Sequence, residues 1–335
     1  MKRMARENAP APGSRGLGGA RKRASTATSD FGVSKCEGHD SSLYYNSKMY
    51  DEVGREHDTG RSVELPSKVA NSVICGDSRN LAQIPNNSVH LMVTSPPYNA
   101  SKEYDEDLGL GDYLTLLRQV FAECHRVLVP GGLAVINVAN LGRKPYIPLS
   151  SHINLIMNDL GFLQRGEIIW DKSASAGSSC AWGSFASASN PCLRDVHEYI
   201  LVYSKGVFKL ERTKEEKAGA RADTIDKKEF VELTKSVWRF PTVSAKRIGH
   251  PAPFPVELPR RCIEMYTFAG DVVLDPFLGS GQTAIAALQT GRRYIGVDLS
   301  EEYCELAGQR IAEAENATDR TEDESPAAVD LEIET

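Results

Sequence analysis

Val272-Val273-Leu274-Asp275-Pro276-Phe277-Leu278-Gly279-Ser280-Gly281-Gln282-Thr283 is the stretch on which the reading of the fold turns. Its apolar start predicts a short strand, Val272–Leu274, and the run of small apolar residues from Gly281 to Gln289 predicts a helix. Between them Gly279 and Gly281 permit a tight turn and let a ligand approach the backbone closely. A strand, a glycine turn and a helix in that order mark where a parallel α/β sheet meets a nucleotide-like ligand. Asp298 follows Gly279 by 19 residues and ends the next predicted strand, Tyr294–Val297. A carboxylate there can accept hydrogen bonds from both hydroxyls of a ribose. Ala284 stands where a third glycine would complete a dinucleotide fingerprint, and Ala is tolerated at that position, so the turn alone leaves NAD open.

Outward from this unit the chain alternates short apolar runs with helical patterns, the signature of an α/β sheet. Val73-Ile74-Cys75 predicts a strand ending at Gly76-Asp77, and Val89–Thr94 a second, buried one. Tyr113–Leu128 has helical spacing, with Pro130-Gly131-Gly132 expected to stop it. Leu133–Val138 predicts a strand and Leu149–Leu160 a helix. Phe162–Trp170 and His197–Tyr203 predict later strands, separated by the Gly/Ser/Ala-rich segment Ser173–Ser189, which reads as a mobile loop. Pro255–Tyr266 and Glu301–Ala312 predict the remaining helices. The organisation expected is a basic, disordered arm over 1–60, two halves of one domain over 61–205 and 249–312, an insert over 206–248, and an acidic tail over 313–335.

A second motif ends the buried strand: Ser95-Pro96-Pro97-Tyr98, followed by Asn99. Two consecutive prolines hold the backbone extended and remove two N–H donors, leaving the carbonyls of Ser95 and Pro96 fixed as acceptors. An exocyclic amino group of a nucleobase is a poor nucleophile because its lone pair is conjugated into the ring. Acceptors at the Ser95 side chain and the adjacent carbonyl can grip both amino hydrogens, favour a pyramidal nitrogen and aim its lone pair at a sulfonium methyl. Tyr98 would stack on a base extruded from a duplex. No covalent nucleophile is needed.

Composition narrows the classes further. The seven cysteines are scattered with no Cys-x-x-Cys pair, which argues for reduced thiols and against a disulfide framework or zinc site. The seven histidines show no ligand spacing, so no metal is implied. No stretch approaches the roughly 20 apolar residues of a membrane span, and a cytoplasmic, nucleoid-associated setting is expected. The net charge of −6 hides segregation: residues 312–335 hold nine acids against one base, and residues 205–249 hold twelve bases against seven acids. A polyanionic partner responds to that distribution more than to the total. Phe208, Phe230, Trp238 and Phe240 interleave with the bases, and Arg239, Lys246 and Arg247 are candidates for phosphate contacts. A solvated helical face explains part of the same pattern. Trp170 and Trp182 read as core or loop anchors before base stackers.

Thr94-Ser95-Pro96-Pro97-Tyr98 together with Asp275–Thr283 resembles the amino-methylating DNA methyltransferases of restriction–modification systems, from about residue 72 to 312. The tetrapeptide precedes the glycine turn, an order that resembles the β group of that family. The resemblance implies a seven-stranded, doubly wound S-adenosylmethionine-dependent methyltransferase fold, circularly permuted, with a small target-recognition insert at 206–248. It implies S-adenosyl-L-methionine as cofactor, held by Asp77 near the adenine, by Asp298 at the ribose, and by Asp275, Phe277, Gly279, Ser280, Gly281 and Thr283 of the turn. His250, Pro253 and Phe254 of the His250–Pro255 segment would lie beside the methionine part. Ile168-Ile169-Trp170 with Asp171-Lys172, and His197-Glu198-Tyr199, resemble family segments lining the base pocket.

Ser before Pro-Pro resembles the members that methylate cytosine N4, whereas Asp or Asn there is typical of adenine-N6 enzymes. A hydroxyl or a carboxylate can accept from either amino group, so chemistry alone leaves both bases open. The partners implied are double-stranded DNA, a cognate restriction endonuclease and a second copy of the chain; the recognition sequence is not legible. A catalytically inactive DNA-binding relative, and a methyltransferase acting on structured RNA or a protein amide, stay as alternatives. Pro191-Cys192 resembles the nucleophile pair of carbon-5 cytosine enzymes, but the motif order and Ser-Pro-Pro-Tyr oppose that reading.

Overall fold

The computed structural model describes residues 54–97, 108–142, 145–172, 184, 186–193, 195–211, 221–243 and 253–323, with Lys48 and Ile248. Tyr98, Trp182, Lys246, Arg247, His250 and most of the Ser173–Ser189 loop lie outside these residues, as does the arm before residue 54 apart from Lys48. Contacts divide the chain into residues 1–53 and 54–335, and every element below belongs to the second part.

Among the described residues five parallel strands lie side by side: β1 (Ser72–Cys75), β8 (Arg293–Asp298), β7 (Val272–Asp275), β2 (Val89–Thr94) and β3 (Leu128–Val138). β5 (His197–Lys205) continues the sheet antiparallel to β3, and β4 (Phe162–Asp171) pairs antiparallel with β5. This is the expected seven-stranded arrangement with one addition. β6 (Val237–Arg239), drawn from the basic insert, pairs parallel with β4 and makes an eighth strand. It is anchored by Trp238, buried with its indole N–H donating to Leu233 O at 2.9 Å. Phe240 then stacks on Trp170 at 5.0 Å between ring centres, so Trp170 is a core residue. The insert is therefore partly built into the main sheet.

The helices are α1 (Leu110–Val127), α2 (Leu149–Asp159), α3 (Lys227–Leu233), α4 (Glu257–Tyr266), α5 (Gln282–Gln289) and α6 (Glu301–Asp323). One core joins α1 and α2 to one face of the sheet, through Tyr113, Leu117, Phe121, Ile153, Met92 and Ile136. A second joins α4, α5 and α6 to the other face, through Leu258, Ile263, Ala286, Ala307, Leu91, Val93 and Val273. α5 packs against α4, α6, β7 and β8, which explains why Ala284, Ala286 and Ala287 occupy it and why nearly all of it is buried. A helix enclosed on several sides is apolar on several sides.

Two boundaries differ from the sequence expectation. Pro130-Gly131-Gly132 does not stop α1: the helix ends at Val127, and the chain enters β3 at the next residue. The triplet instead makes an irregularity inside β3, where the pairing steps from Val89–Leu128 to Leu91–Leu133. Gly131 there has φ 76°, and the backbone of Lys209 fills the space a Cβ would take. The triplet thus lets β3 resume its register beside β2 while another chain segment passes closely. α6, in turn, runs through Asp323 rather than ending at Ala312, so the start of the acidic segment is helical, with Glu313 and Glu315 exposed. At the arm's end, residues 54–60 lie along the sheet: His57 N–H donates to Gly206 O at 2.8 Å, and Glu56 Oε1 accepts from Phe208 N at 2.7 Å.

The topology positions a site. From β7 the chain passes through α5 to β8 on one side, and from β2 through α1 to β3 on the other. β2 and β7 are neighbours whose connections diverge, and such a switch point opens a crevice at the carboxyl ends of the strands. Ser95-Pro96-Pro97 leaves β2 at that end, and Asp275–Thr283 leaves β7 there.

Candidate active site

The two motifs are physically joined by one buried carboxylate. Asp275, 1% exposed, accepts from Thr94 Oγ1 at 2.6 Å and from Phe277 N at 3.0 Å through Oδ1. Its Oδ2 accepts from Thr283 Oγ1 at 2.7 Å. Thr94 immediately precedes the Ser-Pro-Pro segment, and Thr283 lies in the first turn of α5. The strand end and the glycine turn therefore share a clamp. Burial pushes the Asp275 carboxyl up to about 6, with the hydrogen bonds from Thr94 and Thr283 opposing that rise. The sequence reading makes Asp275 a cofactor ligand; three protein donors engage its oxygens.

Behind the turn a second set of bonds fixes its shape. Gly279 and Gly281 both have positive φ, 51° and 82°, and Gly281 begins α5 from the left-handed region. Ser78 Oγ donates to Pro276 O at 2.6 Å, tying the Gly76-Asp77 segment to the turn. Arg310 of α6 donates to Ser280 O and, at 2.9 Å, to Gln282 Oε1, while Gln282 Nε2 donates to Phe254 O at 2.9 Å. Phe254 and Pro253 are thereby brought to the same corner, both half-buried.

Asp298 ends β8 with Oδ2 accepting from Gly279 N at 2.8 Å and Oδ1 from Ser300 N at 3.0 Å. Burial raises its carboxyl, and the backbone N–H groups pull it back. A carboxylate has about four acceptor positions, and with the Leu299 N–H also directed at it one remains for a hydroxyl of a vicinal diol. Leu299, 69% exposed, follows it directly and offers an apolar surface beside that diol position. Asp77 is half-buried and ion-paired with Arg79 at 2.5 Å, which holds its carboxyl below the usual range. Phe277 is half-buried and Ser280 and Thr283 are buried in the turn. A ribose-accepting acid, an apolar rim and a glycine turn at a switch point fit a nucleoside cofactor.

A polar row crosses the sheet next to Ser95. Thr94 pairs with Ile136, which sets Ser95 beside Asn137 of β3. Asn137 Nδ2 donates to Glu198 Oε2 at 2.5 Å, and Lys172 Nζ donates to Glu198 Oε1 at 2.7 Å. Lys172 also lies over the Trp170 ring at 5.7 Å. The row tops the apolar face formed by Val93, Val135, Ile200 and Trp170. The sequence singles out Lys172 and Glu198 and includes Thr94 in the motif without a role of its own, but Asn137 and Ser78 are missed. Each of these is a polar residue in or beside a buried strand, and that is the one signal that would have found them. Of the proposed phosphate contacts, Arg239 is 73% exposed at its side chain and paired with Asp171 at 2.8 Å.

A doubly wound sheet carrying a glycine turn and an acceptor-rich Ser-Pro-Pro strand end at one switch point defines a nucleoside-cofactor enzyme of the methyl-transfer class. Residues 89–309 match the DNA methylase family of the N6/N4 type, and the chain belongs to it. It is 30% identical over 279 residues, 71% of this chain and 90% of the relative, to the Type II methyltransferase M.MjaI of Methanocaldococcus jannaschii. It is 29% identical over 262 residues, 72% of this chain and 83% of the relative, to the DNA adenine methyltransferase YhdJ of Escherichia coli. The structure of TTHA0409 from Thermus thermophilus, complexed with S-adenosyl-L-methionine, superposes with a TM-score of 0.57 at 35% identity, covering 72% of this chain and 95% of that one. The chain is an amino-methylating DNA methyltransferase.

Proposed function

We propose that this chain methylates the exocyclic N4 of cytosine at a specific site in duplex DNA, with S-adenosyl-L-methionine as donor, as the modifying partner of a restriction endonuclease. The observation that carries the choice of base is Ser95, a neutral hydroxyl at the end of β2 where adenine-N6 members of the resembled group have Asp or Asn. The flipped cytosine stacks on Tyr98, and its amino hydrogens are gripped by Ser95 Oγ and the adjacent carbonyl. Pro96 and Pro97 keep those acceptors from following the base as it moves. The amino nitrogen, made pyramidal, presents its lone pair in line for direct transfer. When bound, S-adenosylmethionine supplies the electrophilic sulfonium methyl; Asp298 holds its ribose, Asp77 lies near its adenine, and His250, Pro253, Phe254 and Phe277 flank its remaining parts. Asp275 acts as a positioning residue, keeping the glycine turn and Ser95 in one frame through Thr283 and Thr94. Arg239, Lys246 and Arg247 contact phosphates and set the duplex in register.

The Type II description of M.MjaI supports the pairing with a restriction endonuclease, while the adenine specificity in the YhdJ description makes the choice of base the part most in need of test. Incubation with tritiated cofactor and duplex DNA, followed by nucleoside analysis, is expected to give N4-methylcytosine. Label in N6-methyladenine alone refutes the choice of base. Label in neither, beside an active control, refutes catalysis.

A further inference from the structure

Cys75 is the last residue of β1 and lies in register opposite Asp298. Its thiol is exposed. Cys304 sits in the first turn of α6, with its sulfur 3.5 Å from Asp298 O and 4.0 Å from Ile74 O. Ile74 is the chain neighbour of Cys75 and Asp298 its cross-strand partner, so the Cys304 sulfur packs against the end of β1 beside Cys75, although 229 positions separate the two cysteines in sequence. Cys124 and Cys262, by contrast, are buried in the two cores with their thiols pushed up by burial, as structural cysteines are.

We propose that Cys75 and Cys304 form an oxidisable dithiol, a modification site whose closure to a disulfide weakens cofactor binding at Asp298. The oxidant class is a low-molecular-weight disulfide such as oxidised glutathione. The exposed Cys75 thiolate attacks one of its sulfurs and expels one small thiol, leaving a mixed disulfide. Cys304 then gives its proton to solvent and attacks Cys75 Sγ, expelling the second small thiol. Two protein thiols lose two electrons and two protons, and one small disulfide becomes two thiols. Burial and the neighbouring Cys75 push the Cys304 thiol up to about 12, so the second step is the slow one.

The consequence follows from what surrounds the pair. Closure removes the Cys304 S–H donor from Asp298 O and draws the first turn of α6 toward β1. Ser300, at the start of that turn, holds Asp298 Oδ1 through its N–H and accepts from Cys304 N at 3.0 Å. Moving it misaligns the carboxylate for a ribose, the scale of one lost hydrogen bond to a charged group, or about tenfold in affinity.

The readout, though not the disulfide, rests on the cofactor reading above. The full-length chain is treated with oxidised glutathione, mapped by peptide mass spectrometry, and titrated with S-adenosyl-L-methionine by calorimetry before and after dithiothreitol. The expected result is a Cys75–Cys304 cross-link, a Kd raised about tenfold, and recovery on reduction. Cys75→Ser, titrated alongside, is expected to bind like the reduced wild type and to be indifferent to oxidant. Absence of the cross-link overturns the proposal, as does a cross-linked chain that binds unchanged. Equal loss of binding in oxidised Cys75→Ser also overturns it, because another thiol is then responsible. A reduced wild type that does not bind the cofactor sinks the cofactor reading instead, and the cross-link still reports on the pair.

Discussion

Replacing Asp275 by Asn keeps the shape of the clamp and removes its charge. In the folded chain the Asp275 carboxyl titrates near 6, pushed up from 3.8 by burial. Between about pH 4 and 6 the folded state therefore holds a proton that the unfolded state has released. Stability falls as pH rises wherever the folded state binds more protons, so ionising Asp275 weakens the wild type across that window. A rise of about two pKa units corresponds to about 3 kcal/mol, complete by pH 7. The amide of Asp275→Asn does not titrate, so the difference in unfolding free energy between variant and wild type should shift by about 2.4 kcal/mol in the variant's favour from pH 4 to pH 7. The other titrating groups are common to the two proteins and cancel, apart from a smaller contribution from Asp298, whose charge interacts with that of Asp275. The hydrogen bonds exchanged at Thr94 and Thr283 offset the curves vertically without changing their difference in slope. Urea unfolding at half-unit steps from pH 4 to 7, followed by tryptophan fluorescence, measures both curves. Parallel curves would refute the reasoning, because they mean that Asp275 is not a buried, protonatable carboxyl.

Changing Ser95 to Ala removes one acceptor aimed at the amino group, and should lower kcat by about 10² while leaving cofactor affinity within about twofold, as read by tritium transfer and calorimetry. Asp298→Asn should weaken S-adenosyl-L-methionine about tenfold or more with little change in thermal midpoint, since Asn keeps one acceptor oxygen for Gly279 or Ser300 but loses the charge. Gly281→Ala forces a Cβ into the left-handed region and to 3.2 Å from Ala307 Cβ, which should cost about 1–2 kcal/mol or more in denaturant unfolding.

Much of this architecture is legible in local pattern. β2 reads as a buried strand because five of the six residues from Val89 to Thr94 are buried, as a central parallel strand requires. The glycine turn is legible because Gly279 and Gly281 do need positive φ. What escapes is whatever depends on partners distant in sequence. Pro130-Gly131-Gly132 has the composition of a helix stop, yet its geometry answers to Lys209, far along the chain. β6 is too short to show a period of its own and exists because Trp238 and Phe240 bury against α3 and Trp170. The acidic helix end beyond Ala312 reads as a solvated tail because it carries no apolar stripe. Cys75 and Cys304 read as scattered because thiol spacing in sequence says nothing about a parallel sheet that brings the ends of β1 and β8 together.

The permuted motif order leaves the two motif-bearing strand ends adjacent all the same. What methyl transfer needs is two strand ends side by side, one gripping the amino group and one holding the donor. β2 and β7 are adjacent in the sheet although about 180 residues separate Thr94 from Asp275. Sheet order, not chain order, decides adjacency, because each strand contributes its carboxyl end to the same crevice whichever connection precedes it. The Thr94–Asp275–Thr283 clamp is the covalent sequence's substitute for contiguity. It costs the chain a buried carboxylate, and it couples the donor turn to the acceptor strand across a single side chain. A tetrapeptide held in that way needs no reactive group of its own. In the proposed reaction Ser95 supplies acceptors rather than a reactive group, and Pro96 and Pro97 hold the backbone that carries them extended.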